Sequence, residues 1–429
     1  MFDLLQRVCD IIDRQFDDQV KYLQDLVQEP SILGNESAER AVQAVNQYKF
    51  HEMNLDVTPV IADHSQMVHL PGYSPVEWSF RDRPLGIVGV LKSRNGGGKS
   101  FVLNGHVDVV DVTPLRQWKR DPFGAQVEGD RLYGRGAADM KGGVSAIVYA
   151  TKALQKAGVQ LKGDLILQTV LEEEGTGNGS LACLARGFVG DACLIPEPFE
   201  QKILTAEVGV LWMRADVFGS AGHTRGASSM VNAIDKAYQL VGAMRQLEQE
   251  WNEERHRAFA DHPHPLNFNL GLIKGGNWPS SVPAHCEFSM RLSMYPGVDP
   301  EDAKRRVQAH IDQFCATDPW LQVNPPEITW YGHHNWGVYE PNPEQNPLMQ
   351  SIARAHAALT GSPVEYHNST ACTDVRFWTE HWHKASTCYG PSGEQLHAAN
   401  EWVSLESVRE TTKVIAGTVI DWCGVPPFE

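Results

Sequence analysis

Apolar side chains recur at helical spacing over residues 2–29, where Leu4, Leu5, Val8, Ile11, Ile12 and Phe16 make one stripe. A second helix is expected from Glu36 to Met53, after the breaker run Pro30 to Asn35. Two strand-like runs follow, LGIVGVLKS and SFVLNGHVDVV, joined by Asn95-Gly96-Gly97-Gly98-Lys99, which predicts a hairpin. The joining loop ends Gly98-Lys99-Ser100 like a phosphate loop. Ser93 stands where that motif needs glycine, however, and a strand follows where it needs a helix.

A helix is predicted over Met140 to Gln155, after the glycine-rich YGRGAADMKGG. DLILQTVLEEE then reads as a buried strand ending in acids, and DACLIPEPF as a short strand ending at Glu197. Strands alternating with helices up to residue 200 argue for an α/β sheet with polar residues at the strand ends. From about Val208 the texture changes to a strand (GVLWMRADVFG), a helix over Met230–Glu254 and a loop rich in His and Pro. Strands around 267–273 and 284–293 and a helix over Pro300–Phe314 complete a β-α-β-β-α-β unit. After Trp330 a helix over Asn346–Leu359, further strand signals and a last helix over Ser404–Ile420 resume the first pattern.

Composition narrows the classes. A length of 429 residues exceeds the span at which single cores stop growing, so at least two domains are expected. With 42% hydrophobic and 21% charged residues the chain is neither disordered nor fibrous. A net charge of −16 without a basic block argues against nucleic-acid or anionic-membrane partners. No run approaches the roughly 18 apolar residues of a membrane helix, and acids stand near residue 1 where a signal peptide needs bases. The eight cysteines include no C-x-x-C pair, so neither a cysteine-ligated zinc site nor a thioredoxin-type motif is expected. A cytoplasmic protein is expected.

Five candidate ligands stand at strand ends or adjoining loops: His106 in NGHVD, Asp139 in GRGAADMKGG, Glu174 in LEEEGTGNG, Glu197 in IPEPF and His397 in GPSGEQLHAANE. Two imidazoles and three carboxylates suit zinc, with cobalt or manganese as alternatives. Two such ions need a carboxylate between them, and ions about 3.5–4 Å apart can polarise a carbonyl and activate a water together. Asp108 shares the strand face of His106 and could orient its imidazole. Singly each residue has an ordinary structural reading; their joint occurrence points to a metal site.

H106-V-D108, the GRGAADMKGG block, L-EEE-GTGNG, Glu197-Pro198, SAGHTRG, NWPSSVP and HAANE occur in that order. Together they resemble the M20 family of metallopeptidases and deacylases, in the acetylornithine deacetylase and succinyl-diaminopimelate desuccinylase branch. The resemblance spans about 106 to 401. It implies an α/β protein of two domains: a zinc-peptidase-like catalytic domain with a mixed sheet, and an inserted β-α-β-β-α-β dimerisation (lid) domain. The expected limits are 1–207 and 329–429 for the catalytic domain and 208–328 for the insertion.

The same resemblance implies two Zn²⁺ per chain, bridged by Asp139, with Glu174 and His397 completing one site and His106 and Glu197 the other. Glu173 would be the general base. The triple run also allows Glu172 by counting, and the glycines of GTGNGS place the pair at 173 and 174. His223 resembles the histidine that reaches the partner subunit's site and steadies the oxyanion, which implies a homodimer. Arg291 resembles the arginine that holds a substrate carboxylate, and Thr373, Asp374 and Arg376 match a pocket loop.

Ser392 stands where the family usually has glycine, the glycine-proline lead-in is missing from HWHKASTCYGP, and WYGHHNWGVYEPN is rich in aromatics and histidine. These departures bear on the substrate, not on the ligand set. The pairs His262/His264, His333/His334 and His381/His383 are read as non-metal histidines, because the two-metal site already has its ligands. The function implied is hydrolysis of an amide bond in a small-molecule substrate, an N-acyl amino acid first. A dipeptidase or carboxypeptidase, an aminohydrolase acting on a non-peptide C–N bond, and a non-catalytic binding homologue are the alternatives.

Overall fold

The computed structural model describes residues 2–61, 64–77, 83–94 and 96–426. Its main sheet has six strands in the order Asp56–Ile61, Pro84–Leu91, Leu165–Val170, Phe101–His106, Ala192–Ile195, Ala385–Cys388. The last four run parallel, and the first two are antiparallel to their neighbours, so the sheet is mixed. The expected hairpin does not form: Leu165–Val170 lies between Pro84–Leu91 and Phe101–His106. That strand is buried at every position, with Gln168 and Thr169 hydrogen-bonded inside, and burial on two faces suits the middle of a covered sheet.

Helices pack on this sheet through a core that includes Val8, Ile12, Leu26, Phe50, Ile147, Leu154, Ile352 and Ile415. The N-terminal stripe is divided into two helices, Phe2–Arg14 and Phe16–Gln28, at Gln15, whose amide donates to the Tyr149 carbonyl at 3.2 Å. The helix Pro347–Thr360 starts where Asn346 accepts from the Leu348 and Met349 amides. The helix Leu405–Cys423 starts where Ser404 accepts from the Ser407 amide.

A second sheet is wholly antiparallel, in the order Phe268–Gly275, His285–Met294, Gly209–Phe218, Glu327–Asn335. Along Gly209–Phe218 buried and half-buried residues alternate from Leu211 onward, the period-2 signature of a sheet with unlike faces. The helices Ala233–Glu253 and Pro300–Ala316 cover the buried face around Met213, Ala215, Val241, Met244, Trp251, Phe288 and Val307. This second core is distinct from the first. Its fourth strand, Glu327–Asn335, crosses residue 328, where the sequence reading ends the insertion. Among the described residues no helix is long and apolar enough to cross a membrane.

Candidate active site

Three parallel strands end side by side at His106, Val170 and Ile195, and the fourth ends at Cys388. Loops leaving the carboxyl ends of parallel strands enclose a crevice, the usual place for a site in an α/β sheet. His106 is the last residue of its strand; the run Glu172–Glu174 follows the second and Glu197 the third. Asp139 comes from the turn before the helix Gly142–Lys156, and His397 from the loop before Trp402–Ser404.

These residues converge. The His106 Nε2 lies 3.1 Å from Asp139 Oδ1 and 3.8 Å from Glu197 Oε1, and the His397 Nε2 lies 3.4 Å from Asp139 Oδ2 and 3.1 Å from Glu174 Oε2. Asp139 therefore turns one oxygen to each imidazole, the arrangement a carboxylate shared by two ions requires. Among the described residues, His106, Asp139 and Glu174 alone form a set with all donor atoms within 4.8 Å. All five expected ligands are thus brought together.

Neighbouring groups fix the donors. The His106 Nδ1 lies 3.0 Å from the Asp108 carbonyl oxygen; a proton donated there leaves the Nε2 lone pair facing the cluster. The Asp108 carboxylate lies near the same nitrogen, with Oδ1 at 3.8 Å from the His106 Nδ1. It accepts the amides of Glu173 (3.4 Å) and Glu174 (3.1 Å), so Asp108 positions the glutamate turn as well as the imidazole. Burial pushes its carboxyl up to about 7. Glu401, inside HAANE, was not singled out from the sequence; its Oε1 accepts the amides of Ala138 (3.0 Å) and Asp139 (3.1 Å), and Arg135 holds it at 2.5 Å.

The glutamate run divides by direction. Glu172, at φ 71°, is completely buried against Arg83, which also pairs with Glu39, and it accepts the Thr176 hydroxyl at 3.1 Å. Glu173 lies 3.9 Å from the His106 Nε2 and lines the cavity. No part of the sequence pattern signals Arg83.

Acidic groups crowd this centre. Burial pushes the carboxyls of Glu173 and Glu197 well up, with nearby carboxylates adding to it and His106 opposing it. Burial opposes the charged form of His106 too, but Asp139, Glu197 and Glu173 outweigh it and hold the imidazole well above its ordinary value. The four carboxylates repel one another in a low-dielectric pocket, which favours cations among them, and oxygen and nitrogen donors of this kind fit divalent zinc, cobalt or manganese.

A cavity of about 440 Å³ opens from the cluster. Asp139, Glu173, Glu174, Glu197 and His397 line one side, and Asn269, Arg291, Trp212 and Tyr331 of the second sheet line another, with Thr373 between. Arg376 does not reach it. Its side chain is fully buried and donates to the carbonyls of Thr373 (2.5 Å) and Thr176 (3.0 Å) beside Asp374, which makes it a strut under the pocket loop. His223 is exposed on the second unit, accepts the Arg225 amide at 3.1 Å and does not line this chain's own cavity.

The chain matches the Peptidase family M20/M25/M40 over residues 102–421. It belongs to that family. It is accordingly a metal-dependent hydrolase of amide bonds. It is 29% identical over 365 residues to the N-formyl-4-amino-5-aminomethyl-2-methylpyrimidine deformylase of Halalkalibacterium halodurans, covering 81% of this chain and 84% of that one. It is 26% identical over 340 residues to the acetylornithine deacetylase of Edwardsiella ictaluri, covering 78% and 83%. The di-peptidase Dug1p from Saccharomyces cerevisiae superposes with a TM-score of 0.80 over 99% of both chains at 14% identity, a likeness of fold.

Proposed function

We propose that the protein is a two-zinc deacylase that cleaves the amide bond of a small N-acyl amino acid, with Glu173 as general base. The observation that carries this reading is the pair of imidazole–carboxylate contacts on opposite oxygens of Asp139, with Glu173 beside them and facing the cavity. Asp139 would bridge the ions, His106 and Glu197 would hold one, and His397 and Glu174 the other. When bound, the metals supply Lewis acidity toward the scissile carbonyl and lower the pKa of water.

Glu173 takes the proton of the attacking water and returns it to the leaving nitrogen, which is general acid–base work for a carboxylate within hydrogen-bond reach. The ion pair of Glu172 with Arg83 supports Glu173 over Glu172 in that work. Arg291 offers its guanidinium to a carboxylate on the substrate. The working form is a homodimer in which His223 of each chain donates to the oxyanion in the other's site. An exposed His223, absent from its own cavity, supports that exchange. Eight unpaired cysteines suit a reducing cytoplasm.

A second reading, removal of a formyl group from an aminomethyl heterocycle, is favoured by the 29% identity to the pyrimidine deformylase and by the aromatic side of the cavity.

Two measurements on Glu173→Ala and on the wild type test the first reading. The zinc-loaded wild type should release amino acid from N-acyl amino acids. The variant should lose about 10²–10⁴-fold in kcat while retaining two metals per chain by elemental analysis. A variant that loses one metal would make Glu173 a ligand and remove it as the base.

A further inference from the structure

One register line crosses all four strands of the second sheet. Asn269 stands opposite Arg291, Arg291 opposite Trp212, and Trp212 opposite Tyr331. Directly paired residues project from the same face with about 5 Å between them, and all four line the cavity. The row therefore presents, in sequence, an amide, a cation and two aromatic rings.

The rings are fixed in place. Trp212 meets Tyr331 at 5.7 Å between centroids and His333 at 4.8 Å and 85°, an edge-on contact. The strand Glu327–Asn335 shifts register between Tyr331 and His334. At that irregularity Gly332, at φ 60°, passes so close to the indole that a Cβ would lie 2.3 Å from Trp212 Cε3. His333 is buried and spanned between the Glu174 carbonyl (3.2 Å) and the Asn335 side-chain amide (2.7 Å), which fixes the ring that meets Trp212.

The row carries one charge into the cavity, that of Arg291. Arg291 donates to Ser293 Oγ (2.6 Å) and to the Thr370 carbonyl (3.1 Å), and among the described residues no carboxylate lies within ion-pair distance of it. A largely buried guanidinium with only neutral partners favours an anion from outside. The acids that line the cavity are Asp139, Glu173, Glu174 and Glu197, all in the metal cluster. None is left opposite the row to receive a cationic side chain.

Resting on the deacylase reading, we infer that the row Asn269–Arg291–Trp212–Tyr331 selects substrates whose leaving amino acid carries a free carboxylate and a flat aromatic side chain. Arg291 and Asn269 take the carboxylate; Trp212 and Tyr331 take the ring by stacking and apolar burial. Small and cationic amino acids leave the rings uncovered, and a cation meets Arg291 with no acid to offset it.

The zinc-loaded protein is assayed with N-acetyl-L-phenylalanine, N-acetyl-L-alanine, N-acetyl-L-lysine and N-acetylphenethylamine, the last keeping the ring without the carboxylate. The phenylalanine substrate should exceed the alanine one in kcat/KM by about 30-fold, within the range set by apolar pocket contacts. It should exceed the lysine and phenethylamine substrates by about 100-fold, the scale of a lost charge-assisted contact. Trp212→Leu should shrink the phenylalanine-to-alanine ratio, and Arg291→Met should bring the phenylalanine substrate toward the phenethylamine level. Equal rates on alanine or lysine, or on phenethylamine, would overturn this inference and leave the deacylase reading standing. Hydrolysis of none of the four would overturn both.

Discussion

Glu207, which closes the strand Ile203–Glu207, has a fully buried carboxyl that accepts the Thr373 hydroxyl at 2.8 Å under the cavity. Burial, only partly opposed by Thr373 and Arg376, raises it from an ordinary value near 4.5 to about 8. Between those two pH values the folded chain keeps a proton that the unfolded chain has released. Stability contributed by this group is therefore full below about pH 4.5, falls as pH rises to about 8, and is level above that. Glu207→Gln keeps an acceptor for Thr373 and removes the titration. Its melting temperature relative to wild type should be higher at pH 8.5 than at pH 5; a difference independent of pH would mean that Glu207 is ionised in the fold. The same contrast of neighbours decides the glutamate run, where residues of one type sit under one local pattern. Glu172 faces an arginine and Glu173 faces an imidazole, and only partners from distant segments make them different.

At the scale of elements, the irregularity in Glu327–Asn335 turns a pairing fault into a shaped wall. Gly332 has both a left-handed φ of 60° and no room for a Cβ against Trp212, so Gly332→Ala combines backbone strain with a clash. A loss of about 1–3 kcal/mol in unfolding free energy is expected, together with a weaker response of intrinsic tryptophan fluorescence to bound aromatic amino acid. Unchanged stability would show that the strand can slide to make room. Elements of this kind are where sequence pattern carries least. The helices Ala233–Glu253 and Pro300–Ala316 were legible in the sequence to within a few residues, and each proposed ligand stood out because it lies at a strand end or in an adjoining loop. The order of the main sheet was not, since LGIVGVLKS and SFVLNGHVDVV look alike as hairpin arms, and nothing local tells that Leu165–Val170 will part them. Arg83, Glu401 and the Trp212 row escaped for a related reason. Their roles lie in pairings across more than 40 residues, whereas period and propensity report only neighbours along the chain.

At the scale of the whole molecule, the proposed ligands and the proposed base sit on the main-sheet unit while the row that faces them, and His223, sit on the other. The second unit leaves apolar surface open: Leu272 is 54% exposed and Ile273 37% on the edge strand Phe268–Gly275, with Trp278 at 67% just beyond. An unpaired edge bearing apolar side chains is a template for a second copy, and in an isologous dimer whatever His223 does for one site it does equally for the other. A mixed dimer of a His223→Ala chain and a Glu173→Ala chain separates exchange from self-sufficiency. If His223 serves the partner, one of the two sites receives an intact base and an intact histidine, and about half of wild-type activity should return. Each parent homodimer should stay nearly inactive, since loss of the base costs about 10²–10⁴-fold and loss of one oxyanion donor about 10²–10³-fold. If His223 serves its own chain, every site in the mixed dimer carries one defect and no activity returns. Recovery near zero, with heterodimer formation verified by mass, removes the shared site.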